Sequence, residues 1–526
     1  MVAPLGPWRA VAIAALVVAV TAPVEVEAHP DEMMVRNHPA RARELSGSVH
    51  RELTCMSCHT GHDGGACGAS ASCQGCHEEQ SAQVAGDVHA RVAATEYARA
   101  EGCVECHGSH AIVGVREEGS PFSEIFVSAE VCGRCHGESS QVDTSRFTRD
   151  SLADFDRSLH ARVLALGDPR AATCVSCHRS HGVFQSSDPR ASTHSSVLHE
   201  TCGRCHEGAR DGFASGGIHE APTGGHFASQ LVTWMYWKMI PIVVGLMLIH
   251  NVLDFFRRLR DRWTRSSAGV SVGTQDTIVR FTRVERTQHW VLAATIITLA
   301  ATGFSLRFGW QPPGLDPEAW SALRMLLHRV AAAIFIALAV FHVGYLAATA
   351  RGRAFVKAML PRLRVRDIPC VLACCLHLGP PSVTDWRDLV HNVRYNLGRE
   401  KRRPAFGRFT YAQKMEYLGL VWGALVMTSS GLMLWFLVPV LNSLPFWTVN
   451  LAATFHFYEG ALAMLVIVVW HFYYVVWSPD VFPVSRTMFD GRMSLEELER
   501  EHAGEMASVD EAERGRWDAS GPMAKR

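Results

Sequence analysis

The 526-residue chain has no net charge, because its 51 lysine and arginine residues balance its 51 aspartate and glutamate residues. Proteins whose main partner is a nucleic acid usually carry a basic domain, so this balance argues against that class of partner. Long apolar segments are scarce in the first half of the chain, and cysteines are scarce in the second half. This asymmetry excludes a uniform soluble globular protein.

Twelve of the 16 cysteines lie in six C-x-x-C-H units, whereas the composition predicts roughly 0.02 such units by chance. In this motif two thiols bond to the vinyl groups of a haem, and the adjacent histidine ligates the iron. Zinc is the competing interpretation, but these units lack the paired C-x-x-C partners typical of zinc sites. The sequence therefore predicts six haem c groups, attached at Cys55, Cys58 and His59; Cys73, Cys76 and His77; Cys103, Cys106 and His107; Cys132, Cys135 and His136; Cys174, Cys177 and His178; and Cys202, Cys205 and His206.

An internal repeat nominates a second ligand for each iron. His89-Ala-Arg-Val recurs as His160-Ala-Arg-Val, and C-x-x-C-H-x-x-H at 103–110 recurs at 174–181. A shorter first copy begins at His50, so we expect three di-haem modules. Iron with two histidine ligands has no open position for a substrate, which favours electron transfer over catalysis. The nominated distal ligands are His50, His62, His89, His110, His160 and His181, with His219 as a seventh candidate and the pairing left open.

Targeting signals and hydropathy predict the topology. Residues 1–28 resemble a secretory signal peptide, with an uncleaved anchor as the alternative. The connections 257–287 and 349–414 contain 22 basic residues and the opposite connections contain two, so the positive-inside rule places the first pair in the cytoplasm. Residues 29–230 are then periplasmic. The five predicted membrane segments are Leu231–Phe256, His289–Phe308, Met325–Ala348, Tyr411–Leu437 and Val449–Trp477.

We therefore expect a mainly α protein of the inner membrane. Because residues 29–226 provide only about 33 residues per haem, the porphyrins must form much of the core there, with little regular structure. The predicted parts are the signal peptide 1–28, a periplasmic six-haem domain 29–230, a first membrane helix 231–256, a cytoplasmic linker 257–285, a four-helix membrane domain 286–480 and a cytoplasmic tail 481–526.

Six histidines lie within the predicted membrane segments, at positions 250, 289, 328, 342, 456 and 471. Ionisable residues at this depth are candidates for a functional site. His328 and His342 are separated by about 21 Å along a helix, and His456 and His471 by about 22 Å. Each helix can thus present an imidazole near either membrane face, and two stacked b-type haems would bridge such helices.

Two resemblances support this interpretation. Residues 50–206 resemble multihaem c-type cytochromes with C-x-x-C-H-x-x-H motifs. Residues from about 280 to 490 resemble the membrane cytochrome b of formate dehydrogenases and nickel–iron hydrogenases, through Arg286-x-x-His289-Trp290, Leu327-His328, the segment 407–414 and the two histidines of the last helix. The second resemblance implies two haem b groups.

By this resemblance, His289 and His471 hold one haem b, and His328 and His456 hold the other. Pairing of His342 with His471 is the alternative. His250 is expected to be structural, although a third haem is another alternative. Gly303 and Gly431 would let a porphyrin approach closely.

The same resemblance places a menaquinone site near Thr410, Gln413 and His471, although the family has asparagine where this chain has Thr410. We therefore expect a membrane quinol dehydrogenase that passes electrons to a periplasmic cytochrome or reductase. A quinone reductase with a periplasmic donor is the alternative, and a periplasmic multihaem oxyanion reductase is a weaker one. The remaining cysteines, Cys67, Cys370, Cys374 and Cys375, match no standard site.

Overall fold

In the computed structural model, the described residues are 30–59, 72–91, 101–117, 120–123, 126–137, 151–166, 168–214, 227–267, 277–360, 368–375 and 380–506. The predicted signal peptide, His62, Cys67, His219 and residues 507–526 lie outside them. The described chain is mainly helical with almost no sheet, and five helices are long and apolar enough to cross a membrane. The expected fold class is therefore confirmed. Contacts divide the chain into two compact units, 1–134 with 174–192 and 135–173 with 193–526.

The first unit consists of short helices joined by turns, and polar contacts connect distant segments of it. The buried Asp87 carboxylate accepts hydrogen bonds from the backbone N–H groups of His89 (2.8 Å) and Val183 (3.2 Å). Asp31 accepts one from the N–H of Met56 at 2.8 Å. Its helices are Pro30–Asn37, Pro39–Ser46, Cys55–Cys58, Glu78–Ala85, Glu101–His107 and Cys174–His178, with a 3-10 turn at Val88–Arg91 and a π-helical turn at Val127–Cys132. The helix Gly133–His136 contains the boundary between the units.

The described residues of the first unit form little apolar core. Among its described residues, the buried hydrophobic side chains are Val127 and Ala191, which are 7% and 2% exposed. Folding must offset the conformational entropy of the chain, mainly by removing apolar surface from water. Two small side chains do not provide that burial, so the described part of this unit needs apolar contact from elsewhere.

Five long helices, labelled α1 to α5 in chain order, form the membrane part of the second unit. They are α1 Phe227–Ser267, α2 Arg283–Phe308, α3 Pro317–Ala348, α4 Tyr411–Trp435 and α5 Phe446–Val466. α5 continues through two π-helical turns, Ile467–His471 and Tyr473–Trp477. Side-chain caps fix the helix starts: Thr282 and Glu285 form a capping box at α2, and Asp316 caps α3.

The membrane helices pack in two pairs, α2 with α3 and α4 with α5, while α1 lies against α5. Many outward side chains are exposed, such as Val340 (69%) and Leu425 (62%), as expected for a surface covered by lipid. The buried core cluster of this unit is Tyr236, Val243, Met247, Phe406, Tyr411, Ala412, Leu462 and Trp470. The remaining helices are Ser151–Arg157, Leu159–Ala165, Leu198–Gly203, Asp211–Ala214, Ala350–Met359, Ile368–Cys375, Val383–Asn396, Leu437–Ser443, Thr487–Asp490 and Leu495–Glu501.

One end of the bundle is closed by a short ribbon and a network of charges. The strands β1 (Thr277–Val279) and β2 (Arg492–Ser494) pair antiparallel, with Ile278 opposite Met493. Arg258 of α1 donates to Asp254 (2.5 Å), Asp480 (2.9 Å) and Glu501 (2.6 Å). These contacts attach α1 to the segment that follows α5.

Candidate haem sites

Six pairs of histidine rings lie at nearly the same separation in the described residues. Two metal–nitrogen bonds of about 2 Å, added to the distance from each ring centre to its nitrogen, separate two axial imidazoles by about 6.3 Å. The paired ring centroids are 6.0–6.3 Å apart. In the described part of the chain, no group of three or more His, Cys, Asp or Glu side chains could hold a metal ion. The arrangement therefore fits an iron that takes two protein ligands.

Four of these pairs involve histidines of the C-x-x-C-H motifs, and they follow a rule that the sequence left open. The histidine that precedes a module pairs with the second motif of its own module, as His50 with His77 and His160 with His206. The histidine three residues after a motif pairs with the first motif of the preceding module. These pairs are His59 with His110 and His107 with His181.

The twelve motif cysteines are all thiols rather than disulfides in the described residues. The first cysteine of each motif is partly buried, at Cys55, Cys73, Cys103, Cys132, Cys174 and Cys202. The second cysteine is exposed in four motifs, at Cys76, Cys106, Cys135 and Cys205, and partly buried at Cys58 and Cys177. An exposed thiol is accessible to the vinyl group of a haem. Haem c attachment at these cysteines stays a prediction, because the described residues show the thiols and their exposure alone.

Backbone contacts hold two of these second cysteines in place within the first unit. The Arg134 guanidinium donates to the Cys106 carbonyl at 3.0 Å, which ties the fourth motif to the third. The Ser192 hydroxyl donates to the Cys177 carbonyl at 2.5 Å. The positions of these motifs are therefore set partly by polar contacts with distant segments.

Motif cysteines in the first unit also lie side by side. Burial and the neighbouring Cys103 thiol raise the pKa of Cys73 to about 11. A hydrogen bond with the Cys174 thiol, together with burial, raises the pKa of Cys132. Thioether attachment of porphyrins at these positions would therefore place haems of consecutive motifs next to each other.

The other predicted ligands lie on short helices and turns, or outside the described residues. His89 lies on the 3-10 turn beside Asp87, with its Nδ1 3.9 Å from the carboxylate. His136 and His178 end the helices Gly133–His136 and Cys174–His178. His62 and His219 lie outside the described residues.

Each imidazole of the His328–His456 pair is held by a hydroxyl side chain on the preceding membrane helix. Thr302 of α2 donates to the Thr298 carbonyl at 2.7 Å, so its oxygen can accept from His328 Nδ1 at 2.8 Å. Ser430 of α4 donates to the Val426 carbonyl at 2.6 Å and meets His456 Nδ1 at 3.0 Å. Both imidazoles then carry their proton on Nδ1 and turn an Nε2 lone pair outward.

Glycine follows each of these hydroxyl residues. A Cβ at Gly303 would lie 3.6 Å from Cε1 of His328, and a Cβ at Gly431 would lie 3.1 Å from Cε1 of His456. The missing side chains thus leave room directly beside the paired imidazoles, at the two glycines that the sequence singled out.

The second intramembrane pair joins α2 to the end of α5. His289 and His471 have ring centroids 6.2 Å apart, and His471 lies on the first π-helical turn. Such turns shift the direction of a side chain and are frequent at functional sites. The Glu416 carboxylate of α4 binds Nδ1 of His471. Sequence reasoning missed Glu416, Thr302 and Ser430.

His342 and His250 form hydrogen bonds with other side chains of the bundle. Nδ1 of His342 meets Oε1 of Gln288 at 2.7 Å, and its Nε2 meets the Tyr417 hydroxyl at 2.9 Å. In the structure, the ring that faces His471 is that of His289 rather than that of His342. His250 is buried, bonds to the Tyr411 hydroxyl at 2.6 Å and packs on Trp470.

An internal repeat relates the two helix pairs of the bundle. Thr302, Gly303 and His328 recur 128 residues later as Ser430, Gly431 and His456, and Gln288-His289 recurs as Glu416-Tyr417. His342 corresponds to His471 with one residue added, where α5 has its π-helical turn. The repeat could have revealed the hydroxyl and acidic partners of the histidines from the sequence alone.

The segments carrying His160 and His206 contact the bundle within the second unit. Hydrogen bonds from Arg170 lower the pKa of Asp168 to about 2, and Asp168 also interacts with Ser321 and Arg324 of α3. Asn442, just before α5, accepts from the Arg210 N–H at 3.0 Å and donates to the Gly208 carbonyl at 2.9 Å. Arg324 lies one turn before His328, so His160–His206 and His328–His456 occupy the same end of the bundle.

The predicted quinone-binding residues lie at the start of α4. Thr410 caps the helix, and Gln413 closes a capping box by accepting from the Thr410 N–H at 3.0 Å. Gln413 is exposed, and Glu416 follows it by one turn on the same helix face. Glu416 binds His471, so these predicted residues and the His289–His471 pair share one end of the bundle.

A membrane-embedded helical bundle with paired imidazoles at two levels defines a class of protein that carries b-type haem and transfers electrons across membranes. Residues 280–491 match the family model of prokaryotic cytochrome b561, which supports a multi-pass membrane cytochrome b in this part of the chain. The matched segment ends where the Gly491 carbonyl accepts from the N–H of Arg280 at 2.8 Å. A search of curated proteins found no significant match to the chain.

Proposed function

We propose that the protein is a quinol dehydrogenase of the inner membrane, which passes electrons from menaquinol through two haem b and six haem c groups to a periplasmic acceptor in respiration. The observation that carries this proposal is the spacing of two intramembrane imidazole pairs, His289–His471 and His328–His456. The haem irons would supply reversible one-electron chemistry.

The chain's own residues orient the ligands for that role. Glu416, Thr302 and Ser430 each face Nδ1 of a histidine, which directs Nε2 toward the partner imidazole. The periplasmic position of residues 29–230 rests on the bias of basic residues, 22 against two, in the connections between helices. The six C-x-x-C-H motifs support haem c attachment on that side.

For the quinol, the resemblance favours the start of α4. The amide group of exposed Gln413 would donate to a ring oxygen beside His471, one helical turn from Glu416. A periplasmic cytochrome or reductase would then take the electrons.

The test is quinol-driven haem reduction in membrane vesicles. In the wild-type protein a menaquinol analogue should reduce both b-type and c-type haems. In His471→Leu one haem b should be lost and reduction of c-type haems by quinol should stop, while dithionite still reduces them. Quinol-driven reduction of c-type haems at the wild-type rate in this variant would refute the proposal. Midpoint potentials that favour transfer from c-type to b-type haems would favour the quinone reductase instead.

A further inference from the structure

A polar cluster lies inside the bundle beside the His289–His471 pair and takes no part in it. It consists of Gln288 of α2, His342 of α3 and Tyr417 of α4. By the internal repeat, Tyr417 and His342 correspond to His289 and His471, and Gln288 corresponds to Glu416. The cluster is therefore the repeat-related counterpart of a candidate haem site.

The distances in the cluster exclude a shared iron. Nε2 of His342 and the Tyr417 hydroxyl oxygen are 2.9 Å apart, which is the length of a hydrogen bond. An iron between two ligand atoms would need about 4 Å, twice a metal–ligand bond of about 2 Å. The ligand of this counterpart site would thus be a hydrogen-bonding molecule.

The hydrogen bonds also fix which ring nitrogen of His342 is an acceptor. Oε1 of Gln288 accepts the Nδ1 proton, so Nε2 keeps a lone pair and receives the Tyr417 hydroxyl. Gln288 is only 9% exposed, and within the described residues its Nε2 has no hydrogen-bond partner. A buried amide donor without a partner is costly, and a ligand oxygen would satisfy it.

An open cleft of about 380 Å³ lies on the surface between α3 and the helix Ala350–Met359, lined by Val343, Leu346, Ala347, Arg353 and Val356. Val343 and Val356 line it, next in sequence to His342 and Phe355. The Phe355 ring packs against both His342 (6.4 Å) and Tyr417 (5.1 Å). Four of the five lining side chains are apolar, which suits a hydrocarbon tail that lies along the outer surface of α3.

We propose that Gln288, His342 and Tyr417 bind the head group of a quinol, with one quinol hydroxyl donating to Nε2 of His342. This inference rests on the proposed function and names residues for its substrate site that the family resemblance does not. Two groups 2.9 Å apart can both hydrogen-bond to a single oxygen at ordinary distances. On binding, the Tyr417 hydroxyl would turn its proton from Nε2 of His342 to the quinol oxygen, and Nε2 would accept that oxygen's own proton instead. Gln288 Nε2 donates to the head group as well.

The residues of the proposed quinol site are next in sequence to residues of the His289–His471 site. Gln288 precedes His289 in α2, and Tyr417 follows Glu416, which binds His471. Neighbouring residues therefore contact the quinol on one side and the candidate haem ligands on the other. Gln413, the residue predicted from the resemblance, lies one helical turn before Tyr417.

The test is binding of a fluorescent hydroxyquinoline N-oxide, a quinol analogue, to the full-length haem-loaded protein. Tyr417→Phe removes one hydroxyl and should weaken binding about tenfold, which corresponds to about 1.4 kcal/mol. His342→Phe should weaken it further. Both variants should keep six haem c and two haem b groups, measured by pyridine haemochrome spectra.

The matched control is Tyr458→Phe, because the Tyr458 hydroxyl bonds to Trp237 away from the cluster. It should bind the analogue with wild-type affinity. Wild-type affinity in Tyr417→Phe and His342→Phe would overturn this inference, as would loss of binding confined to Gln413→Leu. Failure of the wild-type protein to bind the analogue would instead refute the proposed quinol function. If His342→Phe loses haem, the affinity of Tyr417→Phe for the analogue decides whether the inference holds.

Discussion

The two units of this protein hold their candidate haem ligands in different ways. In the described part of the first unit, Val127 and Ala191 are the buried hydrophobic side chains, although His50–His77, His59–His110 and His107–His181 are already paired. The second unit buries a core of large side chains around Tyr411 and Leu462, and its histidines project from long helices. In the described residues, the bundle thus places its histidines by packing of large side chains, whereas the first unit brings its histidines together with little buried apolar surface.

The largest effect should come from blocking haem c attachment, in a host that lacks the attachment machinery. If porphyrins supply the apolar contact that the described residues of the first unit lack, this unit should not fold without them. We expect residues 30–134 and 174–192 to be degraded rapidly in limited proteolysis, while the bundle keeps two haem b groups. The matched comparison is His328→Leu, which should lose one haem b and leave the bundle resistant. A resistant first unit without haem would contradict the difference between the units.

Overfilling the space beside His456 should remove a haem b. A Cβ at Gly431 would already lie 3.1 Å from Cε1 of His456, so Gly431→Leu should displace the imidazole. The pyridine haemochrome count should fall from two haem b groups to one. Gly245→Leu is the control, because a Cβ there meets nothing within 4 Å. Two haem b groups in Gly431→Leu would show that this glycine does not border the site.

A smaller effect should follow from weakening the contact between the His206 segment and the bundle. Asn442→Ala removes the hydrogen bonds to Arg210 and Gly208, each worth about 1 kcal/mol. Electron exchange between c-type and b-type haems, started by flash photoreduction, should slow several-fold with haem content unchanged. The neighbouring Ser443→Ala should exchange at the wild-type rate. An unchanged rate in Asn442→Ala would mean that this contact does not hold the two haem sites together.

The smallest effect concerns the charge network at the closed end of the bundle. Burial alone would raise the pKa of Glu501, but Arg258 and Arg403 lower it well below its usual value. A carboxyl group with a lowered pKa stabilises the fold above its unfolded pKa of about 4.3, and this stability is lost as pH falls further. Glu501→Gln should therefore lower the unfolding temperature at pH 7, and the difference from wild type should shrink below about pH 4. A difference that grows at low pH would contradict the network.

The sequence predicted the five spans because length and apolar composition decide which segments can cross a membrane. Helical spacing and the family resemblance also nominated His289, His471, His328 and His456, and the structure brings their rings together in the expected pairs. Their role as haem ligands stays a prediction. The sequence left open the choice between His289 and His342, because both lie level with His471 on a straight helix. Only tertiary packing shows that His342 is occupied by Gln288 and Tyr417.

The pairing of histidines in the first unit could not be predicted from the sequence, for a different reason. Each ring contact there joins residues far apart in the chain, such as His107 and His181, and short helices impose no periodicity that could predict them. With the structure, the repeat shows that equivalent histidines of different modules pair in the same way, as His50 with His77 and His160 with His206.

The central claim is that the paired imidazoles hold haem in both units, so that each chain carries redox centres in each of them. The most direct measurement is a haem count by type, from pyridine haemochrome spectra of the purified full-length protein. We expect six haem c and two haem b groups per chain. A bundle that retains its fold but contains no haem b would contradict the claim.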